Sequence, residues 1–361
     1  NVVGTTLQGQ TVPSLVFLCA DHLEVASDLL IAQPDEGPVL DLAGDLSLVL
    51  PSEFPRIVKP FAIEAHSRML WSELEQPLTP WLLMLGFEDV DPKPPWLLPG
   101  LRDLQALLWL AEQLDHKINS SGDGVVTVVL PPATQALAML QLARQGPELL
   151  DSLWDPLLTW WTETRRKISH FDRMLRLQLP AADALRPPEV WRRRLQTLST
   201  CLNNPAHSEL VLALVGDAAR WPVLRRRCAL MPLNSLPLSR IVLHGQGWTM
   251  PPLLDSGLPI LIAARDGLDQ RDAIRQWWDS ASTPPPSVHW DRGDQQGRLT
   301  LTCRVFAPGV EKADLRIICR DQKLEISALE QRLHIPLPEE CHGFTPLSAR
   351  VKGVCIEIDF R

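Results

Sequence analysis

Hydrophobic and polar positions change their period along the chain, and this change predicts two structural parts. Before about residue 280, short continuous apolar runs alternate with stretches that repeat every three or four residues. Such runs are typical of buried parallel strands, and such repeats of amphipathic helices. The pattern predicts an α/β fold with a mostly parallel sheet flanked by helices. Strands are expected at residues 13–21, 45–52, 125–129, 209–216 and 239–247.

The intervening segments predict helices of different lengths. Asp155 and Pro156 form an N-cap and first-residue pair, so a helix is expected to begin there and to continue past Leu175. Residues 77–99 are rich in Pro and Trp and are expected to be irregular or to form short helices. Further helices are expected at residues 56–74, 101–119, 133–142, 187–202 and 218–232.

Beyond residue 297 the hydrophobic period becomes two, which is typical of half-buried strands. Five or six short strands predict a small antiparallel β-sandwich. The expected organisation is an α/β domain (1–280) with helical insertions at about 54–118 and 149–202, a linker (281–297) and the sandwich (298–361).

Composition narrows the classes of function. The net charge is −8, and no basic stripe offsets it, which argues against a nucleic-acid partner. Seven scattered cysteines never approach C-x-x-C spacing, so reduced core thiols and an intracellular compartment are expected. Because no ligands are paired closely in the sequence, no metal site is expected. The apolar runs are far shorter than the roughly 20 residues of a membrane span, and no secretory signal opens the chain.

Motifs of catalytic or phosphate-binding sites do not occur, and no catalytic residue is predicted. The sequence has no G-x-x-x-x-G-K-[ST], G-x-G-x-x-G, H-E-x-x-H or G-x-S-x-G, and the stretch VVGTTLQGQ lacks a lysine that could contact phosphate. His22 follows a strand end beside Asp21 and is either functional or an ordinary loop residue.

Tryptophan is unusually frequent, with thirteen Trp and no Tyr. The helical segment around Trp154, Leu157, Trp160 and Trp161 has two interpretations: it packs on its own domain, or it lines a groove for an apolar client helix. The neighbouring Trp160 and Trp161 would point about 100° apart on a helix, which favours the groove slightly.

Two C-terminal stretches carry a resemblance to a known family. The segments RVFAPGVEKADLRIICRDQKLEISA and ARVKGVCIEIDF resemble an α-crystallin (small heat-shock protein) domain. Joined to an α/β domain, this resembles the cyanobacterial and plastid branch of the ArsA/TRC-type P-loop ATPases, which act in arsenical pumps and in tail-anchored-protein targeting. The resemblance implies a P-loop NTPase-like α/β part with a helical client subdomain.

Within that resemblance, LVFLCADHLEVASDLL is similar to the family's second strand and first switch, with Asp21 after the strand. VTVVLPPATQALAMLQL is similar to the second switch; anchored on MLQL, the metal-facing Asp of the family falls on Val129 and its His on Gln135. The adenine-contacting Asn falls on His244. The nucleotide site is therefore expected to be degenerate, and Pro131-Pro132 to stiffen the second switch.

The resemblance also implies a function and a setting. The chain is expected to begin inside the helix that follows the phosphate loop, so ATP and Mg²⁺ are cofactors only if a phosphate loop lies upstream. The expected role is a chaperone or targeting factor for hydrophobic, tail-anchor-like segments of membrane proteins, as a homodimer in the cyanobacterial cytosol or plastid stroma. The alternatives are an active ATPase and a scaffold that docks a partner through edge strands of its β-domain. Residues 149–179 and 81–98 are expected to line the groove, with these client-binding side chains: Trp154, Leu157, Leu158, Trp160, Trp161, Phe171 and Leu175.

Overall fold

The computed structural model divides into two compact units. The first consists of Asn1–Pro13, Lys59–Gly124 and Ala138–His207, and the second of Ser14–Val58, Val125–Leu137 and Ser208–Arg361. The structure describes residues 6–7, 10–11, 13–34, 37–69, 72, 101–120, 124–175, 189–204, 207–216, 221–236, 238–245, 260–263, 270–279, 287–295, 298–320, 322–341 and 344–360.

A seven-stranded sheet forms the centre of the α/β fold and confirms the expected parallel sheet. Its order is β5-β4-β6-β3-β7-β8-β9, and all the strands from β4 to β9 in that order run parallel. A separate antiparallel pair, β1 (Thr6–Leu7) and β2 (Gln10–Thr11), precedes it in the chain. The sheet strands are β3 (Ser14–Ala20), β4 (Val39–Asp41), β5 (Val58–Pro60), β6 (Val125–Leu130), β7 (Ser208–Val215), β8 (Arg240–His244) and β9 (Ile260–Ala263).

One strand prediction is wrong, and β9 was not predicted. The strand expected at 45–52 is a 3₁₀-helix at Leu46–Leu48, and the strand lies earlier, at β4. The reason is the Asp41 carboxylate, which accepts hydrogen bonds from the backbone N–H groups of Gly44 and Leu46, each at 2.9 Å. These bonds fold the chain into a turn before the apolar residues that suggested a strand.

Among the described residues, six helices of at least ten residues lie between or after these strands in the sequence, and two helix predictions need correction. Of the helix expected at 56–74, residues 58–60 are the strand β5 and only residues 63–69 and 72 are described as helical. No helix begins at Asp155, because α3 runs through Asp155-Pro156 without interruption. Residues 77–99 lie outside the described residues. The helices are α1 (Leu23–Ala32), α2 (Leu101–Ser120), α3 (Ala133–Leu175), α4 (Glu189–Asn203), α5 (Trp221–Leu233) and α6 (Gln270–Asp279).

The core of the first unit is built from helices that approach closely. α2 packs against α4, and Leu114 of α2 and Leu195 and Leu198 of α4 are buried. Gly146 of α3 lies so close to Leu195 that an added Cβ would be 3.3 Å from its Cδ1 atom. The side chain of Arg144 in α3 donates to Asn203 Oδ1 at 2.7 Å. An added Cβ at position 146 would therefore require the Leu195 side chain to shift slightly.

The C-terminal part forms two antiparallel sheets over one core. Their orders are β10-β11-β16-β15 and β12-β13-β14. Inward side chains of both sheets share the core, among them Cys303, Val305, Ile326, Ile335 and Ile356. The strands are β10 (Val288–Gln295), β11 (Arg298–Phe306), β12 (Arg316–Arg320), β13 (Lys323–Ala328), β14 (Gln331–Pro336), β15 (Pro346–Lys352) and β16 (Cys355–Phe360).

Two of these strands were not predicted. β10 lies inside the segment expected to be a linker, and its sequence lacks a clear apolar alternation. β15 is exposed at nearly every position, so it has no buried face for the sequence to show. Among the described residues, none of the helices combines the length and the apolar content needed to cross a bilayer.

Candidate functional site at the end of the central strand

Strand β3 occupies the centre of the seven-stranded sheet, with three strands on either side. The chain leaves β3 for β4 on one side, whereas β7 leads to β8 on the other side. The gap between the ends of β3 and β7 is therefore a topological switch point, where open α/β sheets place their ligands. Asp21 is the first residue after β3 and lies at this point.

By the resemblance, this segment corresponds to the family's second strand. In the sheet, however, it is the central strand, which is the place of the first strand in doubly wound folds. In doubly wound folds the turn after the central first strand is the one that contacts phosphate. Here that turn is Asp21-His22, after which α1 begins at Leu23. The helix expected at the start of the chain is not found where the early residues are described, because they form β1 and β2.

The switch point contains an ion pair between Asp21 and Arg227. The Asp21 carboxylate accepts a hydrogen bond from Nη1 of Arg227 and lies 3.5 Å from the backbone nitrogen of Val215. The backbone N–H of Asp21 donates to the Ala213 carbonyl at 3.0 Å, which fixes the turn against β7. Only 10% of the Asp21 side chain is exposed, against 41% for Arg227. The charge of Asp21 is thus neutralised from within the protein.

Cys19 lies two residues before Asp21 and is not a nucleophile. Its thiol is buried and lies 3.7 Å from the carbonyl oxygen of Pro131. Its pKa is raised to about 12, mainly by burial and also by the Asp21 carboxylate, while the positive charge of Arg227 opposes this shift. Because the thiolate is the reactive form, Cys19 is unreactive at neutral pH.

Asp41 is a second carboxylate at the same edge, and it was not among the residues predicted from the sequence. It is fully buried at the end of β4, and burial raises its pKa, although hydrogen bonds from the backbone of Gly44 and Leu46 oppose this shift. Both carboxylate oxygens are held by these N–H groups. Asp41 therefore shapes a turn; the signal in the sequence was an Asp three residues before a Gly.

The residue expected at the metal-facing position, Val129, lies inside the core. It is fully buried in β6, in register with Leu18 of β3 and Asp41 of β4. Its carbonyl accepts a hydrogen bond from the N–H of Leu42 at 2.9 Å. A valine offers no oxygen to Mg²⁺ or its water shell, so this position cannot serve as the acidic ligand of a phosphoryl-transfer site.

The other two expected nucleotide residues lie near the carboxyl edge of the sheet. Gln135 is exposed in the first turn of α3, and its N–H donates to the Pro132 carbonyl at 2.9 Å. His244 ends β8, and its carbonyl accepts from the N–H of Gly216 at 3.0 Å. The strand, proline turn and helix expected around residues 125–142 are thus confirmed as β6, Pro131-Pro132 and α3.

Taken together, the described residues at this edge do not fit a magnesium nucleotide. The Asp21-His22 turn supplies neither a lysine nor a glycine backbone cradle, and its carboxylate would repel phosphate. Across the described parts of the chain, no group of three or more His, Cys, Asp or Glu side chains could hold a metal ion.

Three consecutive arginines of α5 connect this edge to the C-terminal sheets, and the sequence analysis missed them. Arg225 donates to Asp314 at 2.7 Å and to the carbonyl of Gly309 at 3.0 Å. Arg226 pairs with Glu330 at 3.7 Å, and Arg227 pairs with Asp21. In the sequence, these residues could have been recognised as a run of three arginines that follows a buried strand.

Glycine is required where α5 meets the C-terminal sheets. Gly309 has φ +83°, and an added Cβ would lie 2.7 Å from the carbonyl oxygen of Arg225. A side chain there would meet both an unfavourable backbone angle and a backbone atom. The contact between α5 and the β11–β12 connection therefore depends on this residue.

The residues expected to bind clients separate into two environments. Trp161 is buried at 4% exposure, whereas Trp160 is 58% exposed, and their ring centroids are 6.2 Å apart. Leu158 is half-buried. The side chains of Trp154, Leu157, Phe171 and Leu175 lie outside the described residues, as do residues 81–98.

Comparisons with known proteins do not identify this site. No family model matches the sequence, and no curated protein matches it significantly.

Proposed function

We propose that this protein is an ArsA/TRC-like factor that binds hydrophobic helical segments, such as the tail anchors of membrane proteins, without hydrolysing nucleotide. A parallel sheet, a helical unit and a C-terminal pair of antiparallel sheets are the parts that the resemblance to the α-crystallin-containing branch implies. That agreement supports the family proposal at the level of architecture.

The exposure of Trp160 is the observation that carries the proposal. A tryptophan that is 58% exposed keeps a large apolar surface in water, and tryptophan is strongly enriched at binding hot spots. It lies on α3, in the segment where the client groove was expected. An apolar helix docked here would cover this surface.

The ion pair between Asp21 and Arg227 supports the second half of the proposal. In a working nucleotide switch the residues at the strand ends must be able to reach phosphate or Mg²⁺. Here the carboxylate is held by a guanidinium, and the neighbouring Val129 is buried. Client binding is accordingly proposed to be independent of ATP.

A binding assay with a defined peptide tests the proposal. The probe is a fluorescent helical peptide of about 20 Leu and Ala residues with terminal lysines. We expect it to bind the wild-type protein, and Trp160→Asp to weaken binding at least about tenfold, because a buried charge opposes an apolar partner. The matched control is Val223→Asp, which adds the same charge at a 55% exposed position of α5 and should leave affinity unchanged. Trp161→Asp is unsuitable because Trp161 is a core residue.

The same preparation distinguishes the alternatives. If the peptide does not bind, or if both variants weaken it equally, client binding at Trp160 is excluded. A melting temperature raised by MgATP, together with phosphate release, would instead support an active ATPase. The proposed homodimer predicts a solution mass of twice 40.5 kDa in light scattering.

A further inference from the structure

The outward side of the three-stranded sheet has an unusual set of side chains. Alternate residues of β12, β13 and β14 point into the shared core, among them Leu324, Ile326 and Ile335. The opposite side chains are in register across the three strands. We call this surface the basic face; it consists of Arg316, Ile318, Arg320, Lys323, Glu325, Ser327, Arg332, His334 and Pro336.

Among the described residues of the basic face, positive charges outnumber negative ones. It has four cationic side chains and one carboxylate, Glu325, which lies 4.0 Å from Arg332. Arg320 and Lys323 lie directly opposite each other on β12 and β13, so two like charges are neighbours. Like charges placed directly opposite each other destabilise a sheet. A bound partner of negative charge would offset this repulsion.

The other sheet of the same pair shows the contrasting arrangement. On its outer side Arg304 pairs with Asp291 at 3.0 Å and with Glu357 at 3.3 Å. Arg350 also pairs with Glu357, at 2.9 Å, and its second contact is Asp359 at 3.5 Å. Arg304 and Arg350 are therefore neutralised within that sheet. The basic face is thus positively charged in a chain whose net charge is −8.

The basic face also contains a cleft. Its volume is about 880 Å³, and it is lined by Ile318, Arg320, Lys323, Glu325, His334 and Pro336. Ile318 is 41% exposed, and Pro336 is exposed as well. An exposed Ile318 that lies between Arg316 and Arg320 on β12 fits a ligand that combines an aliphatic group with negative charges.

From this arrangement we propose that the basic face binds an acidic peptide segment whose aliphatic side chain lies on Ile318 and whose carboxylates contact Arg320 and Lys323. A nucleic acid fits less well, because the face has a single aromatic ring, that of His334, and so offers no platform on which successive bases could stack. The strongly negative chain would also repel a long polyanion, while a short peptide senses mainly the local charge. This inference does not depend on the proposed client site at Trp160.

The test uses the full chain and a fluorescein-labelled peptide in which a central leucine is flanked on each side by three alternating aspartates and glutamates. We expect saturable binding that weakens as salt is raised. Arg320→Glu should weaken it at least about tenfold, because it reverses one of the cationic contacts. The variant should fold, because it replaces a repulsive pair with Lys323 by an attractive one. The control, Lys352→Glu, makes the same charge change on the exposed strand β15 and should leave affinity within about twofold.

Each other outcome overturns the proposal. Absence of binding, or an equal loss in both variants, excludes a site on this face. Equal affinity for a peptide with lysines in place of the acidic residues excludes recognition of charge. Tighter binding of a single-stranded oligonucleotide would assign the face to nucleic acid, and a change of solution mass in Arg320→Glu would assign it to self-association.

Discussion

Asp21 and Arg227 are 206 residues apart in the sequence and form an ion pair beside the end of the central strand of the sheet. The carboxylate is largely buried, whereas the guanidinium is partly in solvent. Together they occupy the position at which an open α/β sheet normally accepts its ligand. The pair therefore makes this edge unsuited to a magnesium nucleotide, and it holds α5 against the end of β3.

Removing the arginine should destabilise the protein. Arg227→Met leaves Asp21 without its cationic partner in a site where its side chain is 10% exposed. We expect a loss of about 1–2 kcal/mol in the free energy of unfolding, less than for a fully buried pair because Arg227 is partly solvated. Urea denaturation measures this, and Asp21→Asn in the Arg227→Met background should recover part of the loss.

The adjacent arginine provides the control. Arg226→Met removes a pair in which both side chains are largely exposed, at 57% and 83%. Its effect should be about 0.5 kcal/mol or less. Equal effects of the two substitutions would show that the pair at the switch point is no stronger than an ordinary surface contact.

Val129→Asp should not restore nucleotide hydrolysis, although it places an acid where the resemblance expects one. Val129 is fully buried in β6, so an unpaired carboxylate there should cost at least about 3 kcal/mol of stability. Val129→Ala should cost about 2 kcal/mol through the cavity alone. Thermal denaturation and a phosphate-release assay measure both effects, and hydrolysis by Val129→Asp would contradict the assignment of a degenerate switch.

The contact of Arg225 with Asp314 should make stability depend on acid pH. Burial by itself raises the pKa of Asp314, but the hydrogen bonds from Arg225 and the Glu311 backbone, with the nearby positive charge, bring it below its usual value. A lowered folded-state pKa adds stability above the unfolded value of about 3.9, and this stability is lost as pH falls through the folded pKa. The difference in unfolding free energy between wild type and Arg225→Met should therefore shrink below about pH 4. A constant difference across this range would contradict the predicted role of the ion pair.

Cysteine reactivity should follow burial. Burial raises the pKa of Cys19, Cys228 and Cys303 to about 12, so their thiols should resist alkylation in the native protein. Cys319 and Cys355 are only half-buried and should react first with iodoacetamide. Mass spectrometry of alkylated peptides measures this order, with the denatured protein as the control in which all seven cysteines react. Equal labelling of Cys228 and Cys319 in the native state would disagree with the described core.

Much of the secondary structure could be predicted because it depends on local pattern. The apolar runs at β3, β6, β7 and β8 are strands buried on both sides, and their composition alone marks them. The period of two after residue 298 likewise follows from strands with one face in the core. Where one face is not buried, as in β15, the sequence has no such pattern and the strand was missed.

Local signals were misleading where distant contacts outweigh them. The pair Asp155-Pro156 resembles a helix start, yet α3 passes through it. An N-cap pattern marks a possible first residue of a helix, but it does not show whether the preceding residues are already helical. The acidic residue at Asp21 suggested a switch, but the sequence could not show that Arg227 would neutralise it.

The sequence by itself determined the α/β class, the parallel strands and the alternating C-terminal strands, because each rests on periodicity within a few residues. Only the tertiary structure decided that β3 is the central strand, that Asp21 meets Arg227 and that four cations share one face of a sheet. Those features depend on strand order and register between segments far apart in the chain, and a local pattern of hydrophobic residues carries no information about which strands become neighbours.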